Sequence, residues 1–388
     1  MSDGVREMLS GPGKRVAVLV ETDDSWGRDV VESIARYAHE NHWTLLISPR
    51  DAQHRLRLPS RWKGDGAIVA LRDTAIARHV KSTGVPAVDV AIQMPQERWL
   101  GRVATDDNAR AAMAFEHFQS RHFEHFACYS PPIGRYSHDR ALAFQHVAEK
   151  AGYRCDVFTS QKNKQGGWDG NQAAVASWLK SLPRPLAVFA ADPYPARQLI
   201  EICQLEGLRI PDDIAVLAGD TDDLLCNIAS PRISSVELAC HKLGRAACEM
   251  LRSIMDGEPI PKEPELIPPL RVIARHSTEI LAVEDRDLAQ IVQYIRDRAA
   301  EGIRVSDILR AFPISRRSLE QRFRNILGRS PAEEIRRTRL QHARKLLVET
   351  DLSVAEIATA SGVCSGAQLA SAFRRYLGIR PSALREGR

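Results

Sequence analysis

The sequence predicts a two-lobed α/β domain followed by an all-α domain built from two helix-turn-helix units. Three observations predict it. Short β-branched runs alternate with amphipathic helical stretches through the first two thirds of the 388 residues, and one pattern recurs near the C-terminus at an offset of 50 positions. The basic excess is confined to that same last segment.

From Arg15 onward, VAVLV (16–20) reads as a strand, DVVESIARYAHEN (29–41) as a helix and WTLLIS (43–48) as a strand. GAIVA (66–70), PAVDV (86–90) and GRVATD (101–106) are the next strands, with helical stretches between them. A second series runs HFACYS (125–130), helix 137–151, RCDVFTS (154–160), helix 170–182, LAVFAAD (186–192), helix 196–206 and IAVLAGD (214–220). Strict alternation of strand and helix means a parallel sheet with helices on both faces. Two series in tandem mean two lobes. The stretch GEPIPKEPELIPPL (257–270) holds five prolines in 14 positions and cannot be helical, whereas RVIAR (271–275) suits a strand packing back on the first domain. The domains are drawn at 14–276 and 284–388.

In open α/β sheets, ligands bind beyond the carboxyl ends of the strands. Asp89 and Asp106 follow strands of the first lobe, Asp192 and Asp220 follow strands of the second, and Arg140 opens a helix there. With the rings of Trp26 and Trp168 they suit a polyhydroxylated ligand, whose hydroxyls need donors and acceptors and whose C–H faces stack on rings. An Asp after a strand also serves as a helix N-cap, and Asp106 before DNARAAMAF fits that role.

At the other end, Ser315, Leu319, Phe323, Arg324, Leu327, Gly328 and Pro331 recur as Ser365, Leu369, Phe373, Arg374, Leu377, Gly378 and Pro381. A short helix pattern precedes each copy, VSDILRAF from Val305 and VAEIATAS from Val354, so each unit reads helix, turn, helix, stop. Leu319 and Phe323, four apart, share an inward face and leave Arg316, Arg317, Gln321 and Arg322 on others. A polar, basic outer face suits the DNA major groove, where Arg pairs with guanine and Gln with adenine. Ser318 belongs to that helix, and Gln368, Ser371, Arg374 and Arg375 are the candidates in the second copy. Between the units, Ile335, Leu340, Ala343 and Leu347 stay in register, predicting one connecting helix over 332–348, about 25 Å long. That is comparable to the ~34 Å between successive major-groove faces.

Residues 284–388 hold 20 Lys+Arg against 13 Asp+Glu, while residues 1–283 hold 34 against 36. Such asymmetry is the electrostatic footprint of nucleic-acid binding. The segment from about Asp285 resembles the DNA-binding domain of the AraC family through ISRRSLEQRF, LGRSP, LGIRP and IATASGV, although SGAQLASAFRRY lacks the aromatic pair many members carry near Gln368 and Leu369. The front region resembles the periplasmic-binding-protein-like sensor of the LacI family through VATDDNARAA, HDRALAFQHVAEKAGY, FAADPYPARQLIEICQLEGLRIPDDIAVLAGD and SPRISSVE. Together with IPPLRVIARHST at the junction, the combination is similar to the xylose-operon type of bacterial regulator. That resemblance implies D-xylose as effector, Arg140, Asp192 and Asp220 in its cleft, double-stranded DNA as partner, a homodimer, and an activator for which RNA polymerase is a candidate partner. The mechanism we expect for such an architecture is that sugar closes the lobes and changes how paired sensors present the readers to adjacent half-sites. After SSV such sensors often present a Gln; here stands Leu238, which bears on which pentose is preferred.

Composition narrows the alternatives. No apolar run reaches membrane-spanning length, and MSDGVREMLS lacks the apolar core of a signal peptide, so a cytoplasmic protein is expected. The seven cysteines are scattered without C-x-x-C spacing, which reads as buried thiols. His117, His122 and His125 lie close in sequence, but the helix carrying His117 should end near Ser120, so the three need not converge and no metal is expected. Nor is a cofactor. Neither a nucleophile elbow, a phosphate-binding loop nor an H-E-x-x-H site occurs, so no enzyme is expected. An alkyl-transferring DNA-repair protein would need clustered thiols, and Cys364 is the only one in the reader.

Overall fold

The computed structural model describes residues 13–51, 55–59, 62–131, 135–159, 167–279, 285–350, 352–377 and 380–381. The chain divides into two compact units, Met1–Ser120 with Glu124–Glu279 and Arg121–Phe123 with Ile280–Arg388.

In the first unit the chain runs β1 (Arg15–Leu19), α1 (Ser25–Glu40), β2 (Thr44–Ile47), β3 (Gly66–Val69), α2 (Thr74–Ser82), β4 (Ala87–Asp89), β5 (Gly101–Thr105) and α3 (Asp107–Gln119). It continues with β6 (His125–Ser130), α4 (Arg135–Lys150), β7 (Cys155–Thr159), α5 (Gly167–Ser181), β8 (Leu186–Ala190), α6 (Pro193–Leu205), β9 (Ile214–Ala218) and α7 (Asp223–Ile228). It ends with β10 (Ser234–Glu237), α8 (Cys240–Met255), β11 (Glu265–Ile267) and β12 (Arg271–Ile273). These strands form two six-stranded sheets, ordered β11-β5-β4-β3-β1-β2 and β12-β10-β9-β8-β6-β7. Neighbours are parallel except β10 and β12. β8 and β9 are buried at every position, as parallel strands covered on both faces must be.

The tandem reading of the lobes needs correction. After β5 the chain crosses to the second lobe, where α3 packs on α4 and β12; after β10 it crosses back, and α8 packs on α1 and on β3 to β5. The proline-rich stretch is not only a connector, because Glu265–Ile267 within it adds β11 beside β5, and the chain then returns to the second sheet as β12. The predicted strand over 271–275 thus appears as an edge strand. Three crossings join the lobes. Gly244 shows how closely the returning α8 packs, since a Cβ there would lie 2.6 Å from the Ser33 Cβ of α1.

Aspartates start many of these helices. Asp24, Asp73, Asp106, Asp192 and Asp222 each accept a backbone N–H as N-cap, satisfying donors that a helix start leaves open. The extra turns account for helices beginning earlier than their hydrophobic periodicity: α1 starts at Ser25 rather than 29, and α6 at Pro193, a residue pre-set for a first helical position.

The second unit contains α9 (Arg286–Arg298), α10 (Val305–Ala311), α11 (Arg316–Leu327), α12 (Pro331–Glu349), α13 (Val354–Ala360) and α14 (Gly366–Leu377). Two cores form. Leu288, Ile291, Ile295, Ile308, Leu319, Phe323 and Ile335 make the first; Leu340, Ala343, Leu347, Ile357, Leu369 and Phe373 make the second. α12 supplies side chains to both, in the register its sequence predicts. It is capped by a reciprocal Ser330–Glu333 pair, and α13 by Ser353–Glu356. Gly328 ends α11 at φ 65°, a left-handed conformation in which glycine is favoured. Gly378 lies outside the described residues.

Candidate functional site

Between the two lobes lies a cavity of about 770 Å³. Strand ends build it. Trp26 at the start of α1 and Ile92 after β4 come from the first lobe, Asp106, Asp107 and Asn108 from the first crossing, and Tyr136, Arg140, Asp192 and Asp220 from the second lobe. Five of the seven sequence candidates therefore line one cavity: Trp26, Asp106, Arg140, Asp192 and Asp220.

Along its second-lobe wall two cations alternate with two carboxylates, Arg110 lying behind the lining formed by Asp107, Arg140 and Asp220. Arg110, fully buried, donates from Nη2 to Thr105 Oγ1 at 2.7 Å and places Nη1 3.2 Å from Asp107 Oδ1. The same Asp107 oxygen lies 3.7 Å from Arg140 Nε, and Arg140 Nη2 lies 4.0 Å from Asp220 Oδ2. Arg140 is fixed further by donating to the Ala191 carbonyl at 2.8 Å and by lying 4.7 Å over the Tyr136 ring. Burial pushes the Asp220 carboxyl up to about 6, although Arg140 and Arg110 pull it back. Burial and the nearby charge of Arg140 bring Arg110 down to about 10. The Arg140 guanidinium is opposed by burial, but Asp107, Asp220 and Asp192 together hold it above its ordinary value. Among the described residues, Nε of Arg140 and Oδ1 of Asp107 are buried without a well-aligned hydrogen bond. Unused donor and acceptor capacity of this kind, in a cavity, is what a hydroxylated ligand can complete.

Asp192 is doubly engaged. It caps α6 and accepts the Tyr136 hydroxyl at 2.7 Å; burial raises its carboxyl, against the pull of Arg140 and that hydroxyl. Asp106 caps α3 by accepting from Ala109 N–H at 2.9 Å, the alternative role its sequence context suggested. Asp89 does not line the cavity. Its buried carboxylate accepts from the N–H groups of Leu71, Ala91 and Ile92 at 3.0–3.1 Å and so shapes the loop carrying Ile92; burial pushes it up to about 6 despite those bonds. Trp168 falls in the first turn of α5, and its side chain lies outside the described residues. Leu238 is buried and does not line the cavity either.

Sequence reasoning missed Asp107, Arg110, Tyr136 and Asp222. The adjacent carboxylates of VATDDNARAA were a signal for Asp107, since one caps the helix and frees the other. Tyr136, four positions before Arg140, shares its helix face. Asp222 joins the lobes by accepting from Ser25 Oγ at 2.8 Å and Ser25 N–H at 3.3 Å, with Arg28 at 3.6 Å. Burial acts to raise its carboxyl, but these bonds and the Leu225 N–H hold it below the usual range. Nothing local in the sequence announces that pairing. His117, considered with its neighbours for metal, sits 2.9 Å from Thr278 Oγ1 through Nε2. Cys364 is exposed and the other six cysteines are buried.

In the second unit, Arg316, Arg317, Gln321, Gln368, Ser371, Arg374 and Arg375 are exposed on α11 and α14. Ser318 is half-buried and its N–H donates to Ser315 Oγ at 3.2 Å. Arg322 is turned to its own unit, 3.3 Å from Asp285 Oδ1 and 3.4 Å from Asp287 Oδ2.

A two-lobed sensor and a pair of helix-turn-helix units on one chain define the class of DNA-binding transcription regulators. Residues 15–108 match the XylR N-terminal domain, 115–278 a periplasmic binding protein-like domain and 308–387 a helix-turn-helix domain. The chain is homologous over nearly its whole length to the xylose operon regulatory proteins and has the AraC-type reader. It is 29% identical to that of Escherichia coli K12, over 96% of this chain and 97% of the other, and 27% identical to that of Haemophilus influenzae, over 96% and 98%. A solved structure described as the xylose-binding transcription activator xylR matches with a TM-score of 0.62 at 28% identity, over 96% of this chain and 98% of the other. Among the described residues no helix is long and apolar enough to cross a membrane.

Proposed function

We propose that this regulator activates sugar-catabolic genes in response to D-xylose held in the interlobe cleft. The observation that supports the reading is the Arg110, Asp107, Arg140, Asp220 series on the second-lobe side of the cleft, left with unused hydrogen-bonding capacity at Asp107 Oδ1 and Arg140 Nε. Arg140 donates to sugar hydroxyls while Asp107, Asp192 and Asp220 accept, and Trp26 and Tyr136 cover the sugar's C–H faces. Arg316, Arg317 and Gln321 of α11 and Gln368, Ser371, Arg374 and Arg375 of α14 meet DNA, with Ser318 and Arg322 beside them. The protein works in the cytoplasm as a homodimer, carries out no catalytic step, and meets RNA polymerase at the promoter.

Sugar acts by stabilising one arrangement of the lobes over another, since a ligand shifts an equilibrium only through different affinity for its two states. The first test is thermal unfolding of the full chain with a panel of pentoses and hexoses. A selective rise with D-xylose is expected, about 2.7 kcal/mol at a hundredfold excess over Kd. A rise with another pentose alone reassigns the effector, and no rise with any sugar overturns the cleft assignment. Sugar is further expected to change affinity for a two-half-site operator far more than for one half-site; equal effects would sink the coupling.

A further inference from the structure

The two recognition helices hold the same frame. Leu319 and Phe323 of α11, like Leu369 and Phe373 of α14, are fully buried. Ser315 Oγ accepts from the Ser318 N–H at 3.2 Å, and Ser365 Oγ accepts from the Gln368 N–H at the same distance. Equal caps and equal inward faces fix equal outward faces. The offset of 50 therefore pairs exposed positions one to one: Arg317 with Ala367, Gln321 with Ser371, Arg324 with Arg374 and Asn325 with Arg375.

Base edges are reached from the first turns of such a helix. There α11 presents the long arms of Arg316, Arg317 and Gln321, whereas α14 presents Ala367, Ser371 and one long polar side chain, Gln368. In the last turn both helices expose an arginine, Arg324 and Arg374, and α14 adds Arg375 where α11 has Asn325. Arg374 and Arg375 are both exposed on α14, Arg375 lies 5.5 Å over the Tyr376 ring, and Arg336 of α12 lies 4.7 Å over the same ring. A shallow concavity of about 480 Å³ follows this face, lined by Ala367, Ser371, Arg374 and Arg375. Arginines held at a helix's far end, with short side chains where bases would be read, suit phosphate contact more than base contact.

We propose that the two units divide their labour: Arg317 and Gln321 of α11 carry most of the base discrimination, and Arg374, Arg375 and Arg336 around α14 anchor phosphates. This rests on the DNA-binding reading and assigns its specificity to one half of the reader.

The test is selection from a random duplex pool by the full-length protein, with binding of the winners measured against salt. One strongly conserved block per protomer is expected, and Arg317→Ala with Gln321→Ala flattens it, losing roughly 10- to 100-fold in preference for the selected bases. Arg374→Ala with Arg375→Ala leaves the block intact but weakens all sequences alike and lowers the salt slope by about two. Transplanting the arms, Ala367→Arg with Ser371→Gln, is expected to create a second block about one helical turn from the first; these positions are exposed, so folding is not at stake. Two equally conserved blocks in the unaltered protein, both surviving Arg317→Ala with Gln321→Ala, would overturn the division while leaving the DNA-binding reading intact. Failure to enrich any sequence would overturn both.

Discussion

The cleft and the reader place their candidate binding side chains under opposite constraints. In the cleft, Arg110 is fully buried and Arg140 nearly so, held by Asp107, Asp220, the Thr105 hydroxyl and the Ala191 carbonyl, so each contact is also a structural contact. On α11, Arg316, Arg317 and Gln321 stand exposed above a core that Leu319 and Phe323 fill without them. On the proposed function, binding and folding are therefore inseparable in the first region and nearly independent in the second.

The largest effect should follow from Arg140→Ala. It leaves Asp107 and Asp220 in a buried site with one cation instead of two, and breaking such a pair costs on the order of 3–5 kcal/mol. Denaturant unfolding is expected to show that loss, and thermal unfolding no shift with D-xylose. Arg317→Ala is the counterpart: base preference falls while the unfolding midpoint stays where it was. If Arg317→Ala destabilised the fold as much as Arg140→Ala, the contrast between the regions would fail.

That contrast also governs what could be read from the sequence. The reader was legible because its signals are local: an offset of 50, a cap three residues before each bonded N–H, and apolar residues four apart. The alternating strands of the sensor were legible for the same reason. The interleaving of the lobes was not, since β11 is three residues inside a proline-rich stretch and pairs with β5 some 160 positions earlier. The cleft was half legible. Asp192 and Asp220 could be found as acids after strands, but the same rule brought in Asp89, whose carboxylate is occupied by three backbone N–H groups. Arg110 reads as an ordinary helix-surface arginine until α3 is known to lie against the second lobe. Local patterns reveal side chains that act alone and miss those that act through a partner.

A proton offers a gentler probe of the cleft than a substitution. Asp220 is raised to about 6, with Arg140 and Arg110 on one side of the balance and burial and Asp192 on the other. If its ionised form accepts a sugar hydroxyl, affinity is constant well above pH 6 and weakens as pH falls through 6, by at most tenfold per unit. Titration calorimetry from pH 5 to 8 measures this, and Asp220→Asn should remove the dependence. An affinity that rises on acidification would mean the protonated acid is the binding form. Smaller still is Asp222→Asn, which weakens the bonds from Ser25 and the pull on Arg28 that tie the lobes. We expect a cost of about 1–2 kcal/mol, seen as a larger sugar-free radius of gyration and a few-fold weaker sugar binding. An unchanged radius would show that the crossings alone hold the lobes.

The smallest expected effect bears on the reader. Arg322 lies on a recognition helix, yet its guanidinium faces Asp285 and Asp287 at the start of α9. A half-exposed pair of this kind contributes about 0–1 kcal/mol. If Arg322 is a brace between helices, Arg322→Ala lowers stability by no more than that and leaves the salt dependence of DNA binding unchanged. If it swings out to a phosphate, the salt slope falls by about one and the fold loses little. Aspartate substitutions separate the cases further, because Asp285→Asn with Asp287→Asn frees the guanidinium. A brace then loses its partners and stability drops slightly, whereas an arginine competing for phosphate is released and DNA binding tightens. Tighter binding would make Arg322 the one side chain of α11 that, like those of the cleft, acts through a partner.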